Sequence, residues 1–332
     1  MRPEPVGFRW YLHSSLPVSW LADEVMPAIR YLRHTERLPV VNVHRGWLHG
    51  THLEVIAYSD DGRPVPWTQV LARMRPPAPE PGEESEGDHP HGTFEWIANS
   101  DLRSRPEAQA SSALRERALT RMIDSMAVTL EPGEHVLIGV SAPVGMVAEI
   151  MLATADAHPL GIRYGTISFR ADGEAFLNRS RVAADRRPEF EHRLAGDRPV
   201  LRSLVERMLD ATDTPSAASW RRTACYCMGM FDGAALAGAD VSRADVSRAD
   251  VSRADVSRAD VSRADVSRAD VSRADVSRAD VPPDDAGFSS YRLLLDLLYT
   301  QLPLLGVLPT RRYYLCWAIA EIVDEMAGVT WR

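Results

Sequence analysis

His44, Arg45, His49 and His52 fall within nine residues, the densest group of chemistry-bearing side chains in the sequence. Their types could ligate a metal, but their spacing matches no standard ligand pattern. They read as strand residues around a Gly46–Gly50 turn. Residues of equal parity share a strand face, and the turn interrupts that rule, so their faces stay unassigned. His89-Pro90-His91 lies in an acidic stretch and reads as a solvated loop. Gly139-Val-Ser141-Ala-Pro143 lacks the second glycine of a nucleophile elbow, and Ser141 reads as part of a strand-to-helix turn near a helix cap. There is no phosphate-binding Gly-rich loop and no His-Glu-x-x-His motif. Cys225-Tyr-Cys227 is not the Cys-x-x-Cys of zinc or redox sites. With Cys316, these residues are expected to be reduced core thiols.

The elements that must position these residues belong to an ordinary globular composition. The 332 residues are 45% apolar and 25% charged, with a net charge of −8. That balance argues against broad nucleic-acid binding, which needs a basic surface. All 38 basic residues are arginine, which grips carboxylates bidentately where lysine offers a point charge. The longest apolar run, Leu293 to Leu308, is broken by Asp296, Gln301 and Pro303, so no membrane span is expected. With no targeting signal visible, a cytoplasmic location is expected.

Strands are expected at Val6–His13, Leu38–Trp47, Thr51–Tyr58, His135–Val140 and Ile162–Phe169. Helices are expected at Ser19–His34, from Pro106 through Met126, and at Val144–Ala155, Glu174–Asn178, Pro199–Leu209, Ala217–Met230, Ser289–Leu302 and Pro309–Met326. Arg75–Pro90 reads as an exposed loop. Together these give an α+β class, with a mixed sheet early in the chain and a helix-rich C-terminal half.

From Ala239 the pentapeptide Ala-Asp-Val-Ser-Arg repeats eight times without change, and a partial copy ends at Val281. The unit resembles the pentapeptide-repeat family, whose four-sided β-solenoid turns the alanine and the central apolar residue inward. A solvated linker and a helix are the competing conformations. In a helix, valines five apart would spiral around the axis and form no stripe. The expected organisation is one α+β domain made of residues 1–238 and 282–332, with 239–281 inserted into it.

The segment His44-Arg45-Gly46-Trp47-Leu48-His49-Gly50-Thr51-His52-Leu53 resembles part of the lantibiotic dehydratase C-terminal domain, also called the thiopeptide-type bacteriocin biosynthesis family. Trp10-Tyr11, the Arg163-Tyr164-Gly165 segment with Glu174, Phe176 and Ser180, and the Tyr299, Leu305-Gly306 and Arg311/Arg312 region extend the resemblance. It implies tailoring of a ribosomally made peptide by lyase or cyclisation chemistry, without a bound cofactor or metal. The partners it implies are a modified precursor peptide and a separately encoded glutamylating subunit. By the resemblance, Arg45, His52 and Arg163 are the catalytic candidates. The family's two strand arginines, however, fall on Glu54 and Ile56, and no histidine follows His192 to match the family's late catalytic one. Glutamate elimination by the usual residues is therefore not expected. Two other classes of function remain open: a non-catalytic peptide-binding module, and a protein-binding surface formed by the repeat.

Overall fold

The computed structural model describes residues 5–12, 16–46, 51–77, 89–98, 112–131, 141–179, 186–236 and 285–328. The class is α+β, with a small sheet first and helices after it. Strands β1 (Pro5–Tyr11), β2 (Val40–Gly46), β3 (His52–Tyr58) and β4 (Phe94–Ala98) form an antiparallel sheet in the order β2-β3-β1-β4. Between β1 and β2 runs α1, residues 18–35. Its α-helical segments Val18–Trp20 and Met26–Arg30 alternate with π-helical Leu21–Val25 and Tyr31–Thr35. A short α2 (Trp67–Leu71) precedes β4. The helical part comprises α3 (Ser112–Thr129), α4 (Val144–Asp156), α5 (Ile162–Arg179), α6 (Arg187–Leu209), α7 (Pro215–Leu236), α8 (Asp285–Gln301) and α9 (Pro309–Met326). A 3-10 turn, Leu302–Leu305, joins α8 towards α9.

One core runs through both parts. The apolar face of the sheet, with Phe8, Trp10, Val41, Val43, Leu53 and Val55, joins Leu21, Val25, Ile29 and Leu32 of α1. Phe8 stacks on Phe94 at 5.2 Å and meets Trp67 edge-on at 5.5 Å. These aromatic contacts bind β4 and α2 to β1, and neither element was expected from the sequence.

The run Ile162–Phe169 is helical, not a strand. Its buried positions are Ile162, Gly165, Thr166, Ser168 and Phe169, and Ile162, Gly165, Thr166 and Phe169 among them follow a helical period. Three of the five, Gly165, Thr166 and Ser168, are too small or polar to register as apolar periodicity, which left a β-branched and aromatic run to suggest a strand. The small residues allow close helix packing. A Cβ on Gly165 would stand 2.2 Å from the Ala155 carbonyl oxygen of α4, and one on Gly173 2.7 Å from Cβ of Trp317 on α9. Helix α6 likewise begins well before the expected Pro199, which lies inside it. Proline removes the bond to the carbonyl of Ala195, but Ala195 is exposed, so water can serve that oxygen.

Other expectations hold with small boundary shifts: α4, α7, α8, α9 and the first three strands stand where the sequence suggested. The expected strand His135–Val140, the helix start at Pro106, and the repeat lie outside the described residues. Cys227 and Cys316 are buried, and burial pushes both thiols up to about 12. Cys225 is exposed, a correction to the expectation of three core thiols. Two residues advance about 200° around a helix, so Cys225 and Cys227 cannot share a buried face.

The repeat enters between α7 and α8, which pack against each other, and the Ser290 hydroxyl donates to Asp232 across that contact. The two ends are thus held together without the insert. Replacing 239–281 by a short Gly/Ser linker is expected to leave the unfolding midpoint unchanged or slightly higher, since each halving of loop length favours closure by about 0.6 kcal/mol. Differential scanning calorimetry measures this, and a fall of many degrees would show that the insert packs on the domain. Gly165→Ala is expected to destabilise by about 1–3 kcal/mol in chemical denaturation, the usual range for overpacking.

Candidate functional site on the polar face of the sheet

The second face of the sheet is polar. The register places Arg9 opposite Glu54, Tyr11 opposite His52, His44 opposite Glu54, and Gly46 opposite His52, so all six residues share one face. Glu95 joins them from β4, paired with Arg9. Helix α3 covers one end of this face, where the Thr120 hydroxyl donates to Asn42 Oδ1 at 3.0 Å and the Tyr58 hydroxyl donates to Glu116. The Arg9–Tyr11–His52 end lies beyond that cover.

Glu54 sits at the centre of this end, 5% exposed. The Arg9 Nε donates to its Oε2 at 2.9 Å. Burial opposes the Arg9 charge, but the hydrogen bond and attraction to Glu54 outweigh it, and the pKa of Arg9 rises. Next to this pair, the Tyr11 hydroxyl donates to Glu95 Oε2 at 3.1 Å. Burial first, then the bond to Glu95, raises the phenol pKa, so Tyr11 stays a proton donor at neutral pH.

His52 is 5% exposed, with its ring centroid 5.2 Å from that of Tyr11. Gly46 makes room for it, since a Cβ there would fall 2.2 Å from His52 Nε2. This is the structural reason for the glycine in Arg45-Gly46-Trp47. His89, expected to be a solvated loop residue, instead stacks on Tyr11 at 4.1 Å and stands 3.6 Å from Glu95. His91 is likewise engaged, with its Nε2 3.1 Å from the Pro77 carbonyl oxygen. The side chains of Arg9, His89 and Glu95 are 29%, 27% and 40% exposed, so solvent reaches this end of the face at its rim.

Of the sequence candidates, Arg45 and His52 lie on adjacent strands but on opposite faces. Arg45 turns towards the helices, where its Nη1 donates to the Pro303 carbonyl at 3.3 Å, and burial lowers its pKa. Arg163 is exposed in the first turn of α5. That turn meets α8 at Tyr291, whose hydroxyl donates to the Gly165 carbonyl, whereas Arg45 meets the chain at Pro303. Tyr291 and Pro303 are twelve residues apart, about 18 Å at 1.5 Å per residue. The three candidates therefore do not form one site. Sequence reasoning missed Arg9, Tyr11 and Glu95, whose roles come from strand pairing across 45 and 84 residues. Ser141 caps no helix; its hydroxyl donates to the Gly306 carbonyl at 2.9 Å. Among the described residues no group of three potential ligands could hold a metal ion, and no helix is long and apolar enough to cross a membrane.

This architecture recurs in solved structures. TbtD, the pyridine synthase from thiomuracin biosynthesis, superposes with a TM-score of 0.66 at 18% identity, over 98% of this chain and 99% of that one. TsrL gives a TM-score of 0.59 at 18% identity, over 98% and 96%. The chain has the fold of TbtD and TsrL. No curated protein matches it. The pentapeptide-repeat family matches residues 231–268 and 247–281, in line with the resemblance of the Ala-Asp-Val-Ser-Arg unit.

On the TbtD-like sheet, Glu54 depends on Arg9. Removing one partner of a fully buried pair costs roughly 3–5 kcal/mol, and the 29% exposure of Arg9 reduces this to about 2 kcal/mol for Arg9→Met. Arg9→Met combined with Glu54→Gln is expected to recover most of the loss. Urea unfolding of the two single variants and the double variant measures the coupling, and simple additivity would show that the pair does not organise this face.

Proposed function

We propose that the protein tailors a ribosomally made peptide, acting on a modified precursor by cyclisation rather than by glutamate elimination. The observation that carries this reading is the match to TbtD along nearly the full length of both chains. The resemblance of the His44–Leu53 segment to thiopeptide-type biosynthesis proteins supports it independently. Pyridine formation from dehydroamino acids is a formal cycloaddition. It calls for proton donors and acceptors beside the reacting groups rather than for a strong cationic clamp.

The polar face suits that demand. Tyr11 supplies a phenol kept protonated, His52 and His89 supply imidazoles beside it, and Glu95 orients the phenol. The face is poorly suited to eliminating glutamate. Glu54 and Ile56 stand where the family's arginines stand, and the one guanidinium that reaches Glu54 from β1, Arg9, is committed to it. A departing carboxylate would meet the negative charge of Glu54 and Glu95.

A second reading, a peptide-binding module without catalysis, is favoured by the burial of His52 and by the internal pairing of Glu54 and Tyr11. One experiment separates these readings. The purified protein is incubated with two precursor peptides, one carrying two dehydroalanines and one glutamylated on serine, and the products are followed by mass and ultraviolet absorbance. A new heteroaromatic chromophore from the first peptide, slowed at least tenfold by Tyr11→Phe or His52→Gln, is expected. Binding of the first peptide without a mass change would favour the module. Rapid loss of glutamate from the second would overturn the proposal.

A further inference from the structure

The amino end of α9 gathers arginines that no ion pair balances. Arg186, just before α6, and Arg311 and Arg312 of α9 are each half-buried. No described carboxylate lies within ion-pair distance of any of them. The nearby acids face other arginines: Glu174 stands 2.6 Å from Arg187, Asp172 3.0 Å from Arg292 and Asp197 3.6 Å from Arg193. The Arg186 Nη1 donates only to the Thr310 hydroxyl, at a long 3.5 Å. The Arg311 Nη2 donates to the Ala142 carbonyl at 2.7 Å. Arg312 lies over the rings of Tyr313 and Tyr299, 4.4 and 4.8 Å from their centroids, and Tyr313 is braced by stacking on Phe176 at 4.5 Å. The Nε atoms of Arg311 and Arg312 are sealed from solvent with no hydrogen-bond partner.

The helix adds to this positive potential, because α9 turns the positive end of its dipole to the same place. Its N-cap, Leu308, makes no side-chain cap. Pro309 has no N–H, and the Arg312 amide donates to the Leu308 carbonyl at 2.9 Å. The amides of Thr310 and Arg311 are left over at the helix end, with the Thr310 hydroxyl beside Arg186. Burial and the charge of Arg193 lower the Arg311 pKa, and Asp197 only partly offsets them. A helix end alone makes no site. Here it coincides with three cations that have no ion-pair partner.

We infer that the amino end of α9 is a binding site for a phosphate-class oxyanion, a phosphate monoester or a diphosphate. The Thr310 hydroxyl and the free amides would hold the group against the helix. Arg186 would grip it with its planar fork, and Arg312 would supply a second charge. A carboxylate carries a single charge, whereas a phosphate group carries about 1.5 to 2 at neutral pH and offers three acceptor oxygens, the closer match to three guanidiniums. Solvent reaches this end of the helix, where Leu308 is 58% exposed. The site goes beyond the reaction proposed at the sheet and is independent of it.

The test is isothermal titration calorimetry of the whole protein, in a buffer free of phosphate and sulfate, with pyrophosphate, phenyl phosphate, inorganic phosphate and acetate. Saturable binding of the phosphate probes at one site per chain is expected, the tightest with a Kd of about 0.1 mM or below, and acetate should bind at least tenfold more weakly. Tightest binding of pyrophosphate would assign the site to a diphosphate, and tightest binding of phenyl phosphate to a monoester. Arg186→Gln and Arg312→Gln should each weaken the tightest probe at least tenfold, and Arg312→Lys should weaken it less than Arg312→Gln. Arg186→Gln removes one long hydrogen bond, so it keeps the test decisive even if Arg312→Gln fails to fold. Arg63→Gln, at an exposed arginine paired with Asp61, should leave binding unchanged. Binding only above about 10 mM, equal binding of acetate, an equal loss in Arg63→Gln, or indifference to Arg186→Gln would overturn the proposal. So would a glutamate-rich peptide that displaces the phosphate probes and binds more tightly than they do, which would make an acidic protein segment the occupant.

Discussion

A carboxylate buried in the middle of a sheet is the constraint around which this molecule is arranged. Glu54 lies on β3, with β1 on one side and β2 on the other. An ionised carboxylate with no partner at that depth would cost several kcal/mol, enough to compromise a domain of ordinary stability. Arg9 meets it from the adjacent strand. A slip of one residue would place Arg9 on the aromatic face and break its bond to Glu54, so this pair favours the observed β1–β3 register. With the register fixed, Tyr11 is brought against His52, and Glu95 comes within reach of the Tyr11 hydroxyl. The polar face therefore has a definite geometry rather than a loose collection of side chains.

The helical part holds the sheet from one side and leaves the other end of its polar face to the site. Thr120 and Glu116 of α3 engage Asn42 and Tyr58, and the 3-10 turn after α8 receives Arg45. Close contacts at Gly165 and Gly173 tie α5 to α4 and α9, and the Asp172–Tyr299–Arg292 hydrogen bonds join α5 to α8. These contacts give the helices a fixed arrangement from which α5 displays Arg163 and Tyr164.

Much of the fold was legible in the sequence because long apolar periods mark α4, α8 and α9, and alternating aromatic and β-branched residues mark β1 to β3. The α5 start was not, because Gly165 and Thr166 fill a buried helical face with residues that carry no hydrophobic signal. Strand β4 went unseen because its five residues follow a Pro- and Gly-rich stretch and are held by contact with Phe8. The site was half legible. His52 and the unusual Glu54 stood out as departures from a resembled pattern, but the Arg9 partner did not. Its significance depends on pairing between residues 45 positions apart, which no local pattern encodes. Arg163 was named from a tripeptide resemblance, which says nothing about where the first turn of α5 lies relative to the sheet.

The central claim is that the modified peptide meets the protein at the Tyr11–His52–His89 end of the polar face. Imidazole nitrogen NMR of uniformly nitrogen-15-labelled protein, titrated with the peptide carrying two dehydroalanines, tests it most directly. The account predicts saturable shifts of the His52 and His89 ring signals that follow one binding curve, with His34 and His192 unmoved. Saturable binding that leaves His52 and His89 unchanged would contradict it.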